Sequence, residues 1–321
     1  MAADSPSVLL VRLDAIGDAL TLVPVIAALR RDGYRIGAIL RPHNAAVFSR
    51  RALDRVYVAQ SVSQSALADH VRADAYGAAL IATEKAQGYR LARRARIPVR
   101  IGFENGWGKP LKTMWVRRMC TSTRFRTAGL DPRAPHECDV VFSLASPLVH
   151  DRHPVRDARV LRPYVIDEEP QPDERIAFQV TDKWVRLGAS LEETAGLSQR
   201  LKTAHPMRFI GSRAEAPFVE MFAQAAGTRV EIFDALEPWK NAIAAARAIV
   251  APDSGAAHVA GIVGTPVVSC FADAHFALQT RRWAPWAAPH RVVRIEPPWP
   301  LAAADALEDL LSGSPQFSYT G

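Results

Sequence analysis

The sequence predicts an α/β protein built from two halves, each with a parallel sheet between helices. Short apolar runs alternate with helical patterns along most of the chain, which is typical of βα units. A segment rich in proline and charge, residues 151–174, interrupts this alternation and predicts a linker. The alternation then restarts, and a chain of 321 residues is long enough for two domains.

In the first half, the continuous apolar run at residues 8–11 predicts a strand that is buried on both faces. A turn through Gly17 and Asp18 leads to a helix over residues 19–31, in which Pro24 is an irregularity. Between residues 107 and 133 the pattern is lost, which predicts a long functional loop or short helices. The other predicted elements are strands at 35–40, 56–58, 78–82 and 99–102, and helices at 44–50, from 83 to 95, and at 136–148.

The second half repeats the same pattern after the linker. Strands are predicted at 176–180, 207–210, 230–233, 248–250, 267–271 and 292–295, and helices at 191–202, 215–226, 238–247, 255–263 and 301–311. Two βα halves joined by a linker make a two-Rossmann architecture, with one domain over residues 1–160 and the other over 161–300.

Composition narrows the class of protein. Three cysteines, Cys120, Cys138 and Cys270, lie far apart with no metal-binding spacing, and we expect free thiols. The N-terminus shows no leader pattern, and no run of about 18 apolar residues occurs, so we expect a cytoplasmic protein.

The net charge of +7 comes largely from residues 85–126. This basic region is either a solvated face or a patch for an anionic acceptor or an anionic membrane surface. No nucleic-acid motif accompanies the charge, which disfavours nucleic acid as a partner. Its cations fall into two clusters, one with Arg90, Arg93, Arg94, Arg96 and Arg100, and the other with Lys109, Lys112, Arg117, Arg118, Arg124 and Arg126.

The segment from Asp253 to His258 predicts a turn that binds a phosphorylated ligand. Ser254 follows a predicted buried strand, and Gly255 and Ala256 open an alanine-rich helix. Because the first N–H groups of a helix lack partners and the dipole favours anions there, a diphosphate suits this position. The alternative is an ordinary capped core helix with a buried histidine.

A second turn, through Gly17 and Asp18, follows the first strand. Ligands in open α/β sheets bind at the carboxyl ends of strands, where a carboxylate can act as a general base. Asp18 is alternatively a helix cap, and for Asp14 on the same turn we favour a structural role. The absence of a G-x-G-x-x-G motif weighs against an NAD enzyme.

These segments resemble a known family. Residues 8–24, VLLVRLDAIGDALTLVP, are similar to the N-terminal signature of the bacterial heptosyltransferases of glycosyltransferase family 9. Residues 253–258, DSGAAH, followed by GTPVV at 264–268, resemble the donor-site signature of that family. Smaller similarities lie at 136–137, 283–286 and 290–293.

The resemblance implies a GT-B fold, with two Rossmann-like domains facing an interdomain cleft. The N-terminal domain would bind the acceptor and the C-terminal domain the nucleotide sugar, while a final helix and tail, residues 301–321, would pack back on the N-terminal domain. It also implies transfer of heptose from ADP-heptose to a lipopolysaccharide inner core, with inversion and without a metal or other cofactor. Such an enzyme would work in the cytoplasm, with peripheral contact to the inner membrane.

Residue roles follow from the same resemblance. The catalytic base falls on Asp18, and the diphosphate turn on Asp253, Ser254, Gly255 and Ala256. The family lysine that meets the diphosphate falls on Lys183. His258, about one turn into the predicted helix, is positioned either to reach a phosphate or to support the turn. Inversion needs one base for the acceptor hydroxyl, and the leaving diphosphate needs donors rather than a proton.

The chain departs from the family pattern at two places. Thr181-Asp182 stands where many relatives carry Pro-Gly, and Phe271-Ala272-Asp273 stands where many carry Phe-Gly-Pro. Three alternatives therefore remain: a family-9-like transferase with another nucleotide sugar or a non-lipopolysaccharide acceptor, a nucleotide-sugar epimerase, and a non-catalytic binding module.

Overall fold

The structure, a computed structural model, describes residues 6–60, 63–127, 131 and 133–313. The chain forms two compact units, the first comprising Met1–Arg156 and Pro163–Asp167, and the second Asp157–Arg162 and Glu168–Gly321. The predicted boundary at 160 falls in the stretch where the chain passes from one unit to the other and briefly returns. No helix within the described ranges has the length and apolar character needed to cross a membrane.

In its described residues, the first unit contains a parallel sheet of six strands with the order β3-β2-β1-β4-β5-β6. The strands are β1 (Ser7–Arg12), β2 (Arg35–Leu40), β3 (Arg55–Val58), β4 (Ala78–Ile81), β5 (Val99–Glu104) and β6 (Ser122–Phe125). The helices are α1 (Ile16–Leu20), α2 (Val23–Arg31), α3 (Pro42–Ala45), α4 (Gln64–Ala73), α5 (Ala86–Arg94), α6 (Pro110–Met119) and α7 (Glu137–Ala145).

The centre of this sheet is its most buried part. In β1, Val8, Leu9, Leu10 and Val11 have no exposed surface, because β1 pairs with β2 on one side and with β4 on the other. The helices α4, α5 and α6 supply Leu67, Tyr89 and Val116 to the core that covers one face. The sheet therefore holds the carboxyl ends of β1 and β4 side by side.

The second unit, in its described residues, repeats this design with the order β12-β11-β10-β7-β8-β9. Its strands are β7 (Asp173–Val180), β8 (Met207–Ser212), β9 (Glu231–Phe233), β10 (Ala246–Pro252), β11 (Val267–Ala272) and β12 (His290–Ile295). Its helices are α8 (Ala158–Leu161), α9 (Lys183–Arg186), α10 (Leu191–Ala204), α11 (Ala216–Ala226), α12 (Leu236–Ala245), α13 (Gly255–Val263), α14 (Phe276–Trp283) and α15 (Trp299–Leu311).

Each sheet reverses its strand order beside its first strand, as in Rossmann folds. The reversal lies between β1 and β4 in the first unit and between β7 and β10 in the second. The predicted α/β architecture of two Rossmann-like halves is therefore confirmed. Side chains at the carboxyl ends of these four strands are placed where open α/β sheets bind ligands.

An aromatic stack runs through the core of the second unit. Trp184 lies 5.6 Å from Phe178 and 5.5 Å from Trp299 between ring centroids, and Phe178 lies 5.8 Å from Phe222. The stack joins β7, α9, α11 and α15. The last helix, which was expected to pack on the first domain, contacts α10, β11 and β12 of its own unit. The predicted tail beyond residue 313 lies outside the described residues.

Several predicted elements differ from the structure. The helix expected over 19–31 is two helices, because Pro24 lies in the first turn of α2, where its missing N–H is tolerated. The helix expected over 44–50 is α3, which ends at Ala45.

The predicted linker is also structured. The chain from Pro163 to Asp167 packs on the first unit through Ser49, while α8 packs on α13. The region expected as a long loop or short helices contains α6 and the edge strand β6.

Candidate functional site

Asp18 lies at the carboxyl end of β1, in the first turn of α1. Its Oδ2 accepts the backbone N–H of Ala15 at 3.1 Å, so it caps the helix, as one of the two sequence interpretations expected. Its Oδ1 accepts a hydrogen bond from the Arg12 guanidinium at 2.5 Å. Asp18 is still 24% exposed, and each carboxylate oxygen has a second lone pair for a ligand. A capping role and a chemical role are therefore compatible.

Arg12 is a buried charge, with 1% of its side chain exposed. Besides Asp18, it donates to the carbonyl oxygen of Ala82 at the end of β4. Its Nη2 lies 3.8 Å from Oε1 of Glu137, and its Nε lies 3.6 Å from Oδ2 of Asp14. A buried guanidinium needs such partners, and this one fixes the orientation of Asp18.

The buried carboxylate of Glu137 continues the network beyond Arg12. Glu137 begins α7 and receives a hydrogen-bond-length contact from Arg126 Nη2 at 2.7 Å. Arg126 Nε lies 3.6 Å from Glu84, which accepts a hydrogen bond from Lys112 at 2.9 Å. Burial disfavours the charged form of Glu84, but Lys112 and its other cationic neighbours outweigh burial and hold its pKa below the usual value. Opposite charges thus alternate from Asp18 to Lys112.

The other predicted residues of this turn have structural contacts. Asp14 Oδ1 lies 3.9 Å from Lys85 Nζ, and its carbonyl accepts from the buried Asn44 at 2.7 Å. Lys85, which follows β4, also donates to the carbonyl of Leu13. Gly17 lies beside Asp18 within α1. These contacts hold the turn after β1 against the end of β4.

In the second unit, the predicted diphosphate turn follows β10. Asp253 donates its N–H to the Cys270 carbonyl at 2.7 Å, and Ser254 is the N-cap of α13. The Ser254 side chain does not cap the helix, and its Oγ is buried without a hydrogen-bond partner among the described residues. The first N–H groups of α13 and this hydroxyl are therefore donors available to an anion.

Lys183 and His258 both face Asp253. Lys183 begins α9 after β7, and its Nζ lies 3.9 Å from Asp253 Oδ2. His258 Nε2 lies 3.5 Å from Oδ1, while its ring packs 5.5 Å from Trp283. Burial raises the pKa of Asp253, but the hydrogen bond from His258 and the charges of His258 and Lys183 outweigh it, and the pKa is lowered. The structure thus brings the predicted lysine to the predicted turn.

Small residues shape the same helix. Ala256 and Ala257 are each 1% exposed, so their side chains belong to the core. Ala256 can meet a ligand only through its backbone N–H. Gly261 lets the chain at Pro285 and Trp286 pack against α13, and Gly264, with φ of +90°, ends the helix as predicted.

Sequence reasoning missed several members of these clusters. It did not assign roles to Arg12, Lys85 or Glu84, and it treated Arg126 and Lys112 only as members of a basic region. The ion pairs with Glu137 and Glu84 show that these two cations belong to the network around Asp18. The position of Arg12 at the end of a fully buried strand was the available indication, since a buried arginine needs acidic partners.

Comparison with known proteins agrees with this architecture. Residues 235–305 match the family model of glycosyltransferase family 9 (heptosyltransferase). A search of curated proteins gives no significant match. Among solved structures, a family-9 glycosyltransferase from Veillonella parvula is 15% identical with a TM-score of 0.76, covering 98% of this chain and 99% of its own.

E. coli heptosyltransferase WaaC is similar in two structures. The one with ADP is 16% identical with a TM-score of 0.72, covering 95% of this chain and 99% of WaaC. The one with ADP-2-deoxy-2-fluoro heptose is 17% identical with a TM-score of 0.69, covering 96% and 100%. At this identity, the likeness shows the GT-B fold.

Two Rossmann-like units with polar clusters at both strand-order reversals are the arrangement of the GT-B fold class. The match to the family model of glycosyltransferase family 9 covers the donor-turn region and supports a glycosyltransferase.

Proposed function

We propose that the protein transfers heptose from ADP-heptose to a lipopolysaccharide inner-core acceptor or a similar glycan. The observation that carries the proposal is the meeting of Lys183 with the Asp253-Ser254 turn at the carboxyl ends of β7 and β10. A cation, a buried free hydroxyl and a helix N-terminus suit a diphosphate. WaaC, whose fold the chain shares, has been solved with ADP and with an ADP-heptose analogue, and this supports a nucleotide-sugar donor.

The chemistry assigned to Asp18 is that of a general base. Its carboxylate takes the proton from the acceptor hydroxyl while that oxygen attacks the anomeric carbon. The bond between the anomeric carbon and the diphosphate oxygen breaks, and its electron pair leaves with the diphosphate. Attack opposite the leaving group inverts the configuration. Arg12 positions the base, because it holds Oδ1 of Asp18 while Ala15 holds Oδ2.

The charge that develops on the leaving diphosphate is stabilised by Lys183, Ser254 and the N–H groups of Gly255 and Ala256. His258 positions Asp253, and Asp253 in turn positions Lys183. The proposed reaction uses no metal or other cofactor. The proposed acceptor is an anionic glycolipid. The proposed enzyme therefore works in the cytoplasm, with peripheral contact to the inner membrane.

A thermal-shift screen with ADP, UDP and GDP tests the donor. The proposal expects stabilisation by ADP and ADP-heptose in excess of that by UDP and GDP, since a bound ligand raises the melting temperature by mass action. Preference for UDP or GDP would instead indicate a family-9 transferase with another nucleotide sugar, selected through the unusual Phe271-Ala272-Asp273 segment.

Product analysis then tests the reaction class. Incubation with ADP-heptose and a lipopolysaccharide core acceptor is expected to release ADP and add one heptose to the acceptor. A changed sugar still attached to its nucleotide would identify an epimerase. Tight donor binding with neither product would identify a binding module.

A further inference from the structure

The outer face of α6 exposes large apolar side chains. Trp107 is 94% exposed, Leu111 83% and Met114 63%. Leu111 and Met114 are three residues apart on α6 and share one of its faces, which Arg118 continues, and Trp107 lies in the 3-10 turn just before the helix. The opposite face, with Thr113 and Val116, is buried in the unit. We call this apolar row, Trp107, Leu111 and Met114, the α6 stripe.

The α6 stripe is unusual for a surface in water. Scattered single apolar residues are normal, but here an indole and two long apolar side chains are exposed within eight residues. The backbone before Trp107 requires a glycine. Gly106 has a φ of +54°, and a Cβ there would lie 3.3 Å from the Phe125 ring. A glycine is thus needed for the turn that projects Trp107 outward.

Several basic side chains lie on α5 and α6 near the stripe. Among the residues that the structure describes, no carboxylate lies within 4.0 Å of Lys109, Arg118, Arg90 or Arg94. Arg93 of α5 donates to the carbonyl of Arg118, so the basic face of α5 lies directly beside α6. Between α4, α5 and the end of α6, a cavity of about 520 Å³ is lined by Arg72, Arg90, Arg93, Arg94 and Arg96.

We propose that the α6 stripe and the flanking arginines dock the first unit on a bilayer that contains anionic phospholipids. Trp107, Leu111 and Met114 enter the boundary between headgroups and acyl chains, where tryptophan is favoured. The arginine-lined cavity receives headgroup phosphates, which guanidinium groups bind well. The charge surplus selects an anionic bilayer, because a neutral surface or an apolar protein partner leaves these cations without counterions.

The inference rests on the proposed function only for the expectation that the acceptor resides in a membrane. Docking through α6 would hold the acceptor unit at the surface where a lipid-anchored glycan is found. The two proposals are separable, since binding to vesicles is measured without donor or acceptor, and transfer is measured with a soluble, delipidated core oligosaccharide.

Co-sedimentation of the full chain with vesicles tests the docking surface. Binding is expected to vesicles of phosphatidylcholine with phosphatidylglycerol, to weaken as salt is added, and to be much weaker with phosphatidylcholine alone. The Lys109→Gln/Arg118→Gln variant is expected to bind about 30-fold more weakly, since each cation near the surface contributes roughly a factor of five. Equal binding to both vesicle types, or binding to neither, overturns the proposal.

A pair of matched triple variants tests the contribution of the apolar side chains to vesicle binding. Trp107→Ser/Leu111→Ser/Met114→Ser is expected to lose most vesicle binding while keeping the wild-type circular dichroism and transfer to the soluble acceptor. Val185→Ser/Met221→Ser/Leu301→Ser, which alters exposed apolar residues of the second unit, is expected to bind like the wild type. Similar loss in both variants overturns the assignment to α6.

The α6 stripe could instead bind a second copy of the chain. Analytical ultracentrifugation of the wild type and the stripe variant distinguishes it. A wild-type dimer that the stripe variant converts to a monomer would make this face a subunit interface and overturn the membrane proposal.

Discussion

The guanidinium of Arg12 holds Oδ1 of Asp18 at 2.5 Å from within the first unit, with only 1% of the arginine side chain exposed. A buried cation therefore positions the carboxylate that we propose as the base. Because the cation is shared with Glu137 and Asp14, the orientation of Asp18 depends on residues from β1, from the turn after β1 and from α7.

Replacing Asp18 with asparagine tests the base. The amide keeps the shape and the acceptor oxygen but cannot take a proton, so we expect kcat to fall by about 10²- to 10⁴-fold. Binding of ADP should be unchanged, because the donor cluster lies in the other unit. Kinetics with ADP-heptose and calorimetry with ADP measure the two effects. Asp69→Asn, which alters an exposed carboxylate on α4, is the control, and wild-type turnover by Asp18→Asn would exclude Asp18 as the base.

A double-mutant cycle of Arg12→Met and Glu137→Gln tests the buried network. Removing Arg12 alone leaves Glu137 with fewer cations in the core, and we expect the free energy of unfolding to fall by about 3–5 kcal/mol. In the double variant the loss should be smaller than the sum of the single losses, since the buried charge is removed with its partner. Urea unfolding followed by circular dichroism measures each variant. Strictly additive losses would show that the two residues do not interact.

The Lys183→Ala variant tests the donor cluster. A hydrogen bond to a charged group contributes about 1.5–3 kcal/mol, so we expect the dissociation constant for ADP to rise roughly 10- to 150-fold. Calorimetric titration with ADP measures it. Lys202→Ala, at an exposed position of α10, should bind ADP normally. If both variants bind ADP equally well, Lys183 does not contact the diphosphate.

The lowered pKa of Asp253 predicts a pH dependence of stability. Since the folded protein favours the charged form, this carboxylate stabilises the fold above its usual pKa of 3.8, and the stabilisation is lost as pH falls below 3.8 through the lowered pKa. We expect Asp253→Asn to melt at a lower temperature than the wild type at pH 7, with the difference shrinking toward pH 3. Calorimetric scans across this range measure it, and a difference that stays constant with pH would contradict the assignment.

Two glycine-to-alanine variants test the packing of α13. A Cβ on Gly261 would lie 2.9 Å from the backbone at Pro285 and Trp286, which cannot yield easily, so we expect Gly261→Ala to destabilise by about 1–3 kcal/mol. Gly196→Ala, with nothing within 4 Å of the added carbon in α10, should stabilise by about 0.5–1 kcal/mol. Thermal unfolding compares the two, and a stabilising Gly261→Ala would refute the close contact.

The sequence predicted most of the parallel strands because buried central strands are continuous apolar runs with little ambiguity. The edge strand β6 was missed, since its residues are only partly buried and carry no such run. Helix α6 was predicted only as one of two alternatives, a long loop or short helices, for a related reason. Its exposed Leu111 and Met114 fill positions that an amphipathic pattern reserves for polar residues, so the helical period is hidden.

The candidate site was predictable where local chemistry defines it, as at Asp18 and the Asp253-Ser254 turn. The proximity of Lys183 to Asp253 depends on β7 and β10 being neighbours, which a strand order read from one sequence does not specify. The link from Arg12 through Glu137 to Arg126 likewise joins three distant segments. Tertiary pairing, rather than local pattern, creates these contacts.

The aromatic stack has a consequence for synthesis on the ribosome. Trp184 emerges early in the second unit, but Trp299, which covers one face of its ring, follows by nearly the whole length of that unit. At about 5–20 residues per second, a nascent chain holds Lys183 beside a partly uncovered indole for several seconds. The core around Trp184, the neighbour of Lys183 in the chain, is therefore completed only when α15 has been made, and we expect nascent chains that lack α15 to be preferred substrates for chaperones.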